Sequence, residues 1–533
     1  MKNRKGSTSH RSLTLCVVIT LFAGFTFLRN WFHPALHLPK ASTTSSGSTS
    51  SSSPTSTTTL TSVGISAFPS HLYATSTDES IPCQPHGLHM AQATNVGDDG
   101  RLSMTFTSHL DYQACRNAVP TVVYGQGLFS EGSVSGGKPV QFHYTSSESN
   151  GIFQSPWIWH IQVDNLMAGP KLYWYKIVVP DEKGHQMTSS DVYHFYTPPV
   201  RYRPTSLALI GDLGQTENST KTMEHVMRAA SRKTRYNPYP VTQVLIAGDL
   251  SYADSEPDRW TSWFAIMEPL LRTIPLHVAA GNHEIECDNV TRNLFVPYEN
   301  YFRVPNRIAD ADILPITDDY RKTLWHGECS TPSQFQSHYN YGNAFYSYEH
   351  GLAKIIVLSS YSNSTKDSVQ YNWLADELDN YDRSANPWLI VSFHAPFYTS
   401  FLGHVDEVES VSMREAVEDL FLEYGVNMVV NGHDHAYMRT HPMYQGKVDP
   451  AGKAPIYLTL GAAGNREQHS KGYRNGTQEE WVVKRDICDY GYGHLFLANA
   501  THARLNWVRD GVSDMGVVDH VWLKNPHIEQ RPH

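Results

Sequence analysis

Five short polar clusters stand out along the chain: Gly211-Asp212-Leu213-Gly214, Gly248-Asp249-Leu250-Ser251-Tyr252, Gly281-Asn282-His283-Glu284, His394-Ala395-Pro396 and Gly432-His433-Asp434-His435. Each offers a side chain able to ligate a metal. Together they supply carboxylates, an amide oxygen, imidazoles and a phenol, without Cys. This mixed nitrogen and oxygen set suits Fe, Zn or Mn and does not suit a structural thiolate zinc. The seven candidates, Asp212, Asp249, Tyr252, Asn282, His394, His433 and His435, are too many for one ion. They fit two ions about 3.5–4 Å apart with one carboxylate bridging. Such a pair stabilises both the attacking and the leaving oxygen of an in-line displacement and makes hydroxide available from a shared water, which is the chemistry of phosphoester hydrolysis. One Gly-Asp or Gly-Asn is ordinary turn chemistry. Five in succession, each with a ligand, are not.

Each cluster closes a short, wholly apolar run: Leu207 to Ile210, Val244 to Ala247, Leu276 to Ala280, Leu389 to Phe393 and Val426 to Val430. Apolar residues recur at helical spacing in Thr220 to Ser231, Arg259 to Leu271, Val369 to Leu378 and Met413 to Tyr424. Alternating strand and helix predicts parallel pairing with right-handed crossovers, hence a doubly wound α/β sheet. In such sheets the ligand site lies at the carboxyl ends of the strands, so the clusters should converge. The stretch from Val290 to Tyr341 lacks this rhythm and reads as an inserted loop region. Upstream, short runs at Leu102 to Phe106, Thr121 to Tyr124, Val140 to Tyr144, Trp157 to Val163, Leu172 to Val178 and Val192 to Tyr196 predict an antiparallel β-sandwich. Nothing in it reads as catalytic, so its expected role is that of a scaffold.

The blocks GDLG, GDLSYAD, GNHE, SFHAPFY and NGHDHAY appear in that order. Over residues 84 to 510 the chain resembles the calcineurin-like metallophosphoesterases, and within them the purple acid phosphatases of the large plant and fungal type. The resemblance implies an N-terminal fibronectin-III-like β-sandwich followed by an α/β (βαβαβ) metallophosphoesterase domain. It implies that Asp212, Tyr252 and His435 bind Fe(III), that Asp249 bridges, and that Asn282, His394 and His433 hold a divalent ion, Zn, Mn or Fe. Tyr252 is the diagnostic position, because tyrosinate on Fe(III) gives the purple colour. His283 matches a His that the family places on the substrate phosphate, and His404 the second of a His pair in plant members. Gly403 stands where the first of that pair would be, which leaves His404, assisted by His283, as the general acid; such a group typically contributes 10²- to 10⁴-fold. Asp434 replaces a usually apolar residue and adds negative charge beside two metal-bound imidazoles, and Met438 replaces a common Glu. Tyr490 to Trp507 resembles the closing strands of the family, where His494 reads as a packing residue.

Composition agrees with an enzyme of this kind. The chain has 533 residues, 40% hydrophobic and 12% aromatic, enough for a large core. Its net charge of −10, with only 18% charged residues, argues against a nucleic-acid partner. The expected partners are small phosphorylated substrates, drawn by the metal pair. The oligomeric state is open, a homodimer among the options.

Lys2, Arg4, Lys5 and Arg11 precede an apolar run from Leu13 to Leu28, which reads as a signal peptide or an uncleaved signal anchor holding the chain to a membrane through residues 13–28. The Ser/Thr-rich stretch from Ser42 to Ser62 is unable to bury a core. The expected organisation is a leader over 1–41, a linker over 42–82, the sandwich over 83–199, the catalytic domain over 200–515 and a tail over 516–533. Sequons at Asn218, Asn289, Asn363, Asn475 and Asn499 fit a secreted or luminal glycoprotein. In an oxidising compartment Cys83 with Cys115 and Cys287 with Cys329 are pairs suggested by proximity. Two other functions compete with a secreted acid phosphatase: a metallophosphodiesterase or nucleotide pyrophosphatase, and a non-catalytic surface recognition protein.

Overall fold

The computed structural model describes residues 83–110, 115, 117–127, 131–145, 151–180, 186–231, 239–286, 294–307, 339–510 and 516–528. The leader, the Ser/Thr linker, Asn289, Cys287, Cys329 and most of the stretch from Val290 to Tyr341 lie outside these residues.

The first half of the described chain is all β. A three-stranded antiparallel sheet (His86–Gln92, Arg101–Leu110, Trp157–Met167) faces a second sheet built from Tyr193–Tyr196, Leu172–Pro180, Thr121–Gly125 and Glu131–Ser135. Alternate residues such as Met104, Phe106, Ile161, Val163, Tyr175 and Ile177 fill one core between them. Period-2 alternation puts these side chains on the inner faces. Cys83 and Cys115 form a disulfide at one end, with Cα atoms 5.5 Å apart. The run expected at Val140 to Tyr144 is shorter than anticipated: Val140 makes an isolated bridge to Ile158, and the strand proper is His143–Thr145.

The second half is α/β, but the expected single doubly wound sheet is two mixed sheets. Leu276–Ala279, Gln243–Ala247 and Thr205–Ile210 are parallel neighbours in a six-stranded sheet that continues antiparallel through Gly491–Leu497, His502–Arg509 and Gly516–Lys524. Trp388–Ser392 and Met428–Asn431 belong to a seven-stranded sheet, parallel from Ala353–Val357 to Ile456–Leu460. Residue parity explains the apolar runs. Leu207, Leu209, Leu245, Ile355, Ile390, Met428, Val430 and Leu458 point into one core shared by the two sheets. Their neighbours Ala208, Ile210, Ile246, Ile356, Leu389, Val391 and Val429 pack on the opposite faces with Met223, Trp263, Met267, Leu374, Val417 and Phe421 from the helices Glu217–Ser231, Pro257–Leu271, Val369–Asp379 and Val408–Glu423. Strands buried on both faces carry no polar alternation. Truncating one such side chain to Ala costs about 2–5 kcal/mol.

The expected tail is corrected in part, since Gly516–Lys524 is an edge strand paired with His502–Arg509. It pairs because Asp519, the residue that breaks its apolar run, is neutralised by a two-bond contact with Arg439 (2.8 and 3.0 Å). The described start of the presumed loop, Leu294–Arg307, contains a buried helix, Val296–Tyr301. That helix docks the sandwich: its Tyr301 carbonyl meets His89 Nε2 at 2.9 Å, and the Asn300 carbonyl meets His160 Nε2 at 2.9 Å.

Candidate metal centre

The carboxyl ends of the apolar strands deliver their polar clusters to one place. The turns are tight: Asp212, Asp249, Tyr252 and His433 all adopt left-handed backbone, with φ of 58°, 51°, 52° and 70°. A non-Gly residue there costs about 1–2 kcal/mol, and such strain persists only when its surroundings fix it. Here the peptide of Asp212 donates to the Gly248 carbonyl (3.1 Å) and that of Leu213 to the Asp249 carbonyl (3.1 Å). Gly248, at φ +88°, lets His394 approach, since a Cβ would lie 2.3 Å from His394 Nδ1. At Gly281 a Cβ would lie 2.1 Å from Asp249 Oδ1.

Two groups of ligand atoms form. In the first, the Tyr252 hydroxyl lies 3.0 Å from Asp212 Oδ1 and 2.9 Å from His435 Nε2, with His435 Nε2 3.4 Å from Asp212 Oδ1. In the second, His394 Nε2 lies 3.1 Å from Asn282 Oδ1, 3.1 Å from Asp249 Oδ2 and 3.2 Å from His433 Nδ1. Asp212 ties the two together, its Oδ2 accepting the His433 peptide N–H at 2.8 Å. The structure thus assembles all seven candidate ligands.

Proton placement shows that these residues fit cations. His394 Nδ1 faces the Ala247 carbonyl at 2.7 Å, and a carbonyl only accepts, so the proton sits there and Nε2 presents a lone pair. His433 Nε2 donates to Glu407 Oε2 at 2.7 Å, leaving a lone pair on Nδ1. His435 Nδ1 donates to the Gln468 carbonyl at 2.8 Å, leaving one on Nε2. In the second group four acceptors, two imidazole nitrogens, an amide oxygen and a carboxylate, therefore face one another. A metal cation reconciles them, and the outward protons are the usual second support of metal-bound His.

Without the cation, protons take its place. Burial opposes charge on His394, but the Asp249 and Asp212 carboxylates outweigh it and push its pKa up to about 10. Asp249 is held below the usual carboxylate range by His394 and His283 despite burial. Burial and His404 take His433 down to about 4. Burial, Asp212 and Asp249 push the Tyr252 phenol well above 10, so only a strongly acidic cation would make it a ligand.

The two expected substrate-facing His residues flank the metal groups. His283 packs on Tyr252 with ring centroids 4.1 Å apart and planes tilted by 41°, and its Nδ1 is held at 2.5 Å by Asp254 Oδ1. Its Nε2 points into the site, 3.8 Å from Asp249 Oδ2 and 3.7 Å from Glu467 Oε1. Burial disfavours its charge, but Asp249 and Asp254 push it up to about 9. His404, at the rim, packs against His433 with ring centroids 3.8 Å apart and planes tilted by 46°, and its Nδ1 meets Glu407 Oε1 at 3.0 Å. Its pKa is raised, the Glu407 bond and the Asp434 charge outweighing burial. Asp434 is buried, and burial pushes it up to about 7 despite the nearby His404 and Thr399. Met438 is buried in a small apolar cluster with Phe401, Ala436 and Val482. His494 is buried on its strand against Ser206 (2.7 Å), as a packing residue should be.

Several functional residues had no role in the sequence reading. Glu407 joins His404 to His433. Glu284 accepts the peptide N–H groups of Asp249, Leu250 and Gly281, each at 2.8 Å, and so clamps two of the turns together. The segment from Asn465 to Gln468 covers the tyrosine side: Asn465 donates to the Asp212 carbonyl (3.2 Å), Arg466 bonds the Tyr252 carbonyl and Asp254, Glu467 approaches His283, and Gln468 holds His435.

Known proteins of similar sequence and fold identify the family. The calcineurin-like phosphoesterase model matches residues 205–437, and the model described as iron/zinc purple acid phosphatase-like protein C matches residues 454–520. Probable purple acid phosphatase 20 of Arabidopsis thaliana is 31% identical over 455 residues, 84% of this chain and 89% of its own length. The Fe(3+)-Zn(2+) purple acid phosphatase 12 of Arabidopsis thaliana is 33% identical over 390 residues, 70% of this chain and 73% of its own. A phosphoenolpyruvate phosphatase of Allium cepa is 33% identical, with 76% of each chain covered. The structure of a purple acid phosphatase from yellow lupin (Lupinus luteus) seeds shares the fold, with a TM-score of 0.67 and 21% identity over 83% of this chain and 74% of that one. With a purple acid phosphatase 31% identical over 84% of this chain and 89% of its own length, the chain belongs to the purple acid phosphatase family.

Proposed function

We infer that the protein is an acid phosphatase that hydrolyses phosphate monoesters at a centre of Fe(III) and one divalent ion, Zn, Mn or Fe. The observation that carries this reading is the second ligand group, where acceptors face one another with their protons turned outward. Asp212, Tyr252 and His435 would hold Fe(III), Asn282, His394 and His433 the divalent ion, and Asp249 would bridge. A phenol that resists deprotonation and a histidine and carboxylate beside it support the trivalent ion on that side. When bound, the pair supplies a nucleophile from water and neutralises charge on the phosphate.

The chain's own residues do the rest. His283, fixed by Asp254, presents Nε2–H to a phosphate oxygen and orients the ester. As phosphorus bonds to the incoming water oxygen, the bond to the leaving oxygen breaks, and His404 passes the proton on Nε2 to it, giving a neutral alcohol. Glu407, accepting from Nδ1–H, keeps His404 charged at mildly acidic pH so that Nε2 also carries a proton. Asp249→Ala should abolish phosphate release from 4-nitrophenyl phosphate while the protein remains folded by circular dichroism. Retained activity, or faster hydrolysis of bis(4-nitrophenyl) phosphate than of the monoester, would refute it.

The chain also carries features of a secreted glycoprotein made of a sandwich over 83–199 and a catalytic domain from 200 onward. The Cys83–Cys115 disulfide and exposed sequon residues Asn363, Asn475 and Asn499 support this reading. Cys488 is disulfide-bonded as well, to a partner outside the described residues. Among the described residues no helix is long and apolar enough to cross a membrane. A mass loss on treatment with an N-glycosidase is expected; an unchanged mass from a eukaryotic host would contradict it.

A further inference from the structure

Glu467 stands apart from the other carboxylates of the site. Asp212 and Asp249 are buried with the ligand atoms, Asp254 is paired with Arg466, and Glu407 is shared by two imidazoles. The Glu467 side chain is 46% exposed and forms an ion pair with His283 Nε2, at 3.7 Å. That nitrogen is the atom expected to meet the substrate phosphate. The Glu467 backbone is fixed: its N–H donates to Asn465 Oδ1 (2.9 Å), the residue before it bonds Asp254 and the Tyr252 carbonyl, and the residue after it holds His435. A loop pinned on both sides keeps the carboxylate at the mouth, free only to rotate its side chain.

The facing rim is mixed in charge: exposed Lys471 adjoins Gly472, whose carbonyl accepts the Leu402 peptide N–H at 2.9 Å. Around His404 it presents exposed Leu402 and Val405 and the exposed carboxylate of Asp406. Arg466 is committed to Asp254 and to the Tyr252 carbonyl, and Arg474, further along the covering loop, turns to the Thr399 carbonyl (3.4 Å). A leaving group emerging between His283 and His404 therefore meets the Glu467 carboxylate on one wall and aliphatic side chains, with one carboxylate and one ammonium further out, on the other.

We propose that Glu467 is a specificity-determining residue that selects phosphomonoesters with apolar or cationic leaving groups over those with polyanionic ones. The proposal rests on the phosphatase reading above and deepens it. Coulomb interaction with a charge about 6 Å away, at effective dielectric constants of 20 to 80, corresponds to about 3- to 100-fold in rate per unit of leaving-group charge.

The test compares wild type, Glu467→Gln and Glu467→Lys on choline phosphate, 4-nitrophenyl phosphate and ATP at fixed ionic strength. Intrinsic leaving-group reactivity is common to all three proteins, so the change in each ratio of kcat/KM isolates the side chain. The ratio of choline phosphate to ATP should fall at least about tenfold in Glu467→Gln and further in Glu467→Lys, with the difference shrinking as salt rises. An imido analogue of ATP should bind both variants more tightly in equilibrium dialysis. Constant ratios, or a uniform fall on all three substrates, would overturn the proposal and leave Glu467 as a support for His283. Failure of wild type on every substrate would instead overturn the phosphatase reading, and the dialysis would still decide for or against Glu467.

Discussion

Replacing Glu407 by Gln probes the outer support of the proposed divalent position. One carboxylate oxygen takes the His433 Nε2 proton at 2.7 Å and the other meets His404 Nδ1 at 3.0 Å. Gln keeps the shape but offers a single acceptor, so one imidazole loses its partner and the other exchanges a charged acceptor for a neutral one. A hydrogen bond to a charged group contributes about 1.5–3 kcal/mol net, and outer partners of metal-bound His carry about 10- to 100-fold in affinity or activity. The divalent ion should therefore leave Glu407→Gln about 10- to 100-fold more readily, as read by competition with a chelator. The proposed Fe(III) position, supported by Gln468 behind His435 and by Asn465 behind Asp212, should keep its visible absorption. The pH profile gives a second reading. His404 titrates above its usual 6.5 because the Glu407 bond and the Asp434 charge outweigh burial. Without the carboxylate its pKa falls, the acid form is lost at lower pH, and the alkaline limb of kcat moves down. Unchanged metal affinity with an unmoved limb would refute the reasoning; loss of both metals together would show that Glu407 holds up the whole site.

Other perturbations have equally definite outcomes. Gly248→Ala places a Cβ 2.3 Å from His394 Nδ1 at φ +88°, so the protein should lose its divalent ion by elemental analysis, and full occupancy would contradict the packing described. Glu284→Gln turns an amide N–H₂ toward peptide N–H groups now accepted at 2.8 Å, and should lower stability in urea by about 1–3 kcal/mol, against no shift if the clamp is idle. His350 and His494 are buried neutral, burial lowering each pKa to about 3. Between pH 6.5 and 3 the unfolded chain binds more protons at these positions, so stability falls as pH falls, by about 2 kcal/mol per group from pH 7 to pH 5. His494→Gln should flatten the measured slope by that amount, and an unaltered slope would show that His494 is charged in the fold.

Much of the site was legible because burial on both sheet faces leaves wholly apolar runs, and the turns that end them must carry whatever polar chemistry exists. Asp212, Asp249, Asn282, His394 and His433 were found by that rule. Ile456–Leu460 ends in Gly461-Ala462-Ala463-Gly464-Asn465 and obeys the same rule, so the covering segment with Glu467 could have been found in the same way. Glu407 carries only the His-x-x-Glu spacing as a local sign, and its link to His433 spans 26 residues. The split into two sheets was hidden because parallel strand order reads alike whether strands share a sheet or face each other. The edge strand Gly516–Lys524 was hidden by Asp519 in its middle, a charge that becomes tolerable only once Arg439 is opposite.

The most direct test of the binuclear Fe(III) and divalent centre is to measure metal content and visible absorption of the purified protein and of Tyr252→Phe side by side. Two metal ions per chain, one of them iron, with a visible band that disappears in Tyr252→Phe, is the expected result. A colourless wild type holding two divalent ions and no iron would contradict it.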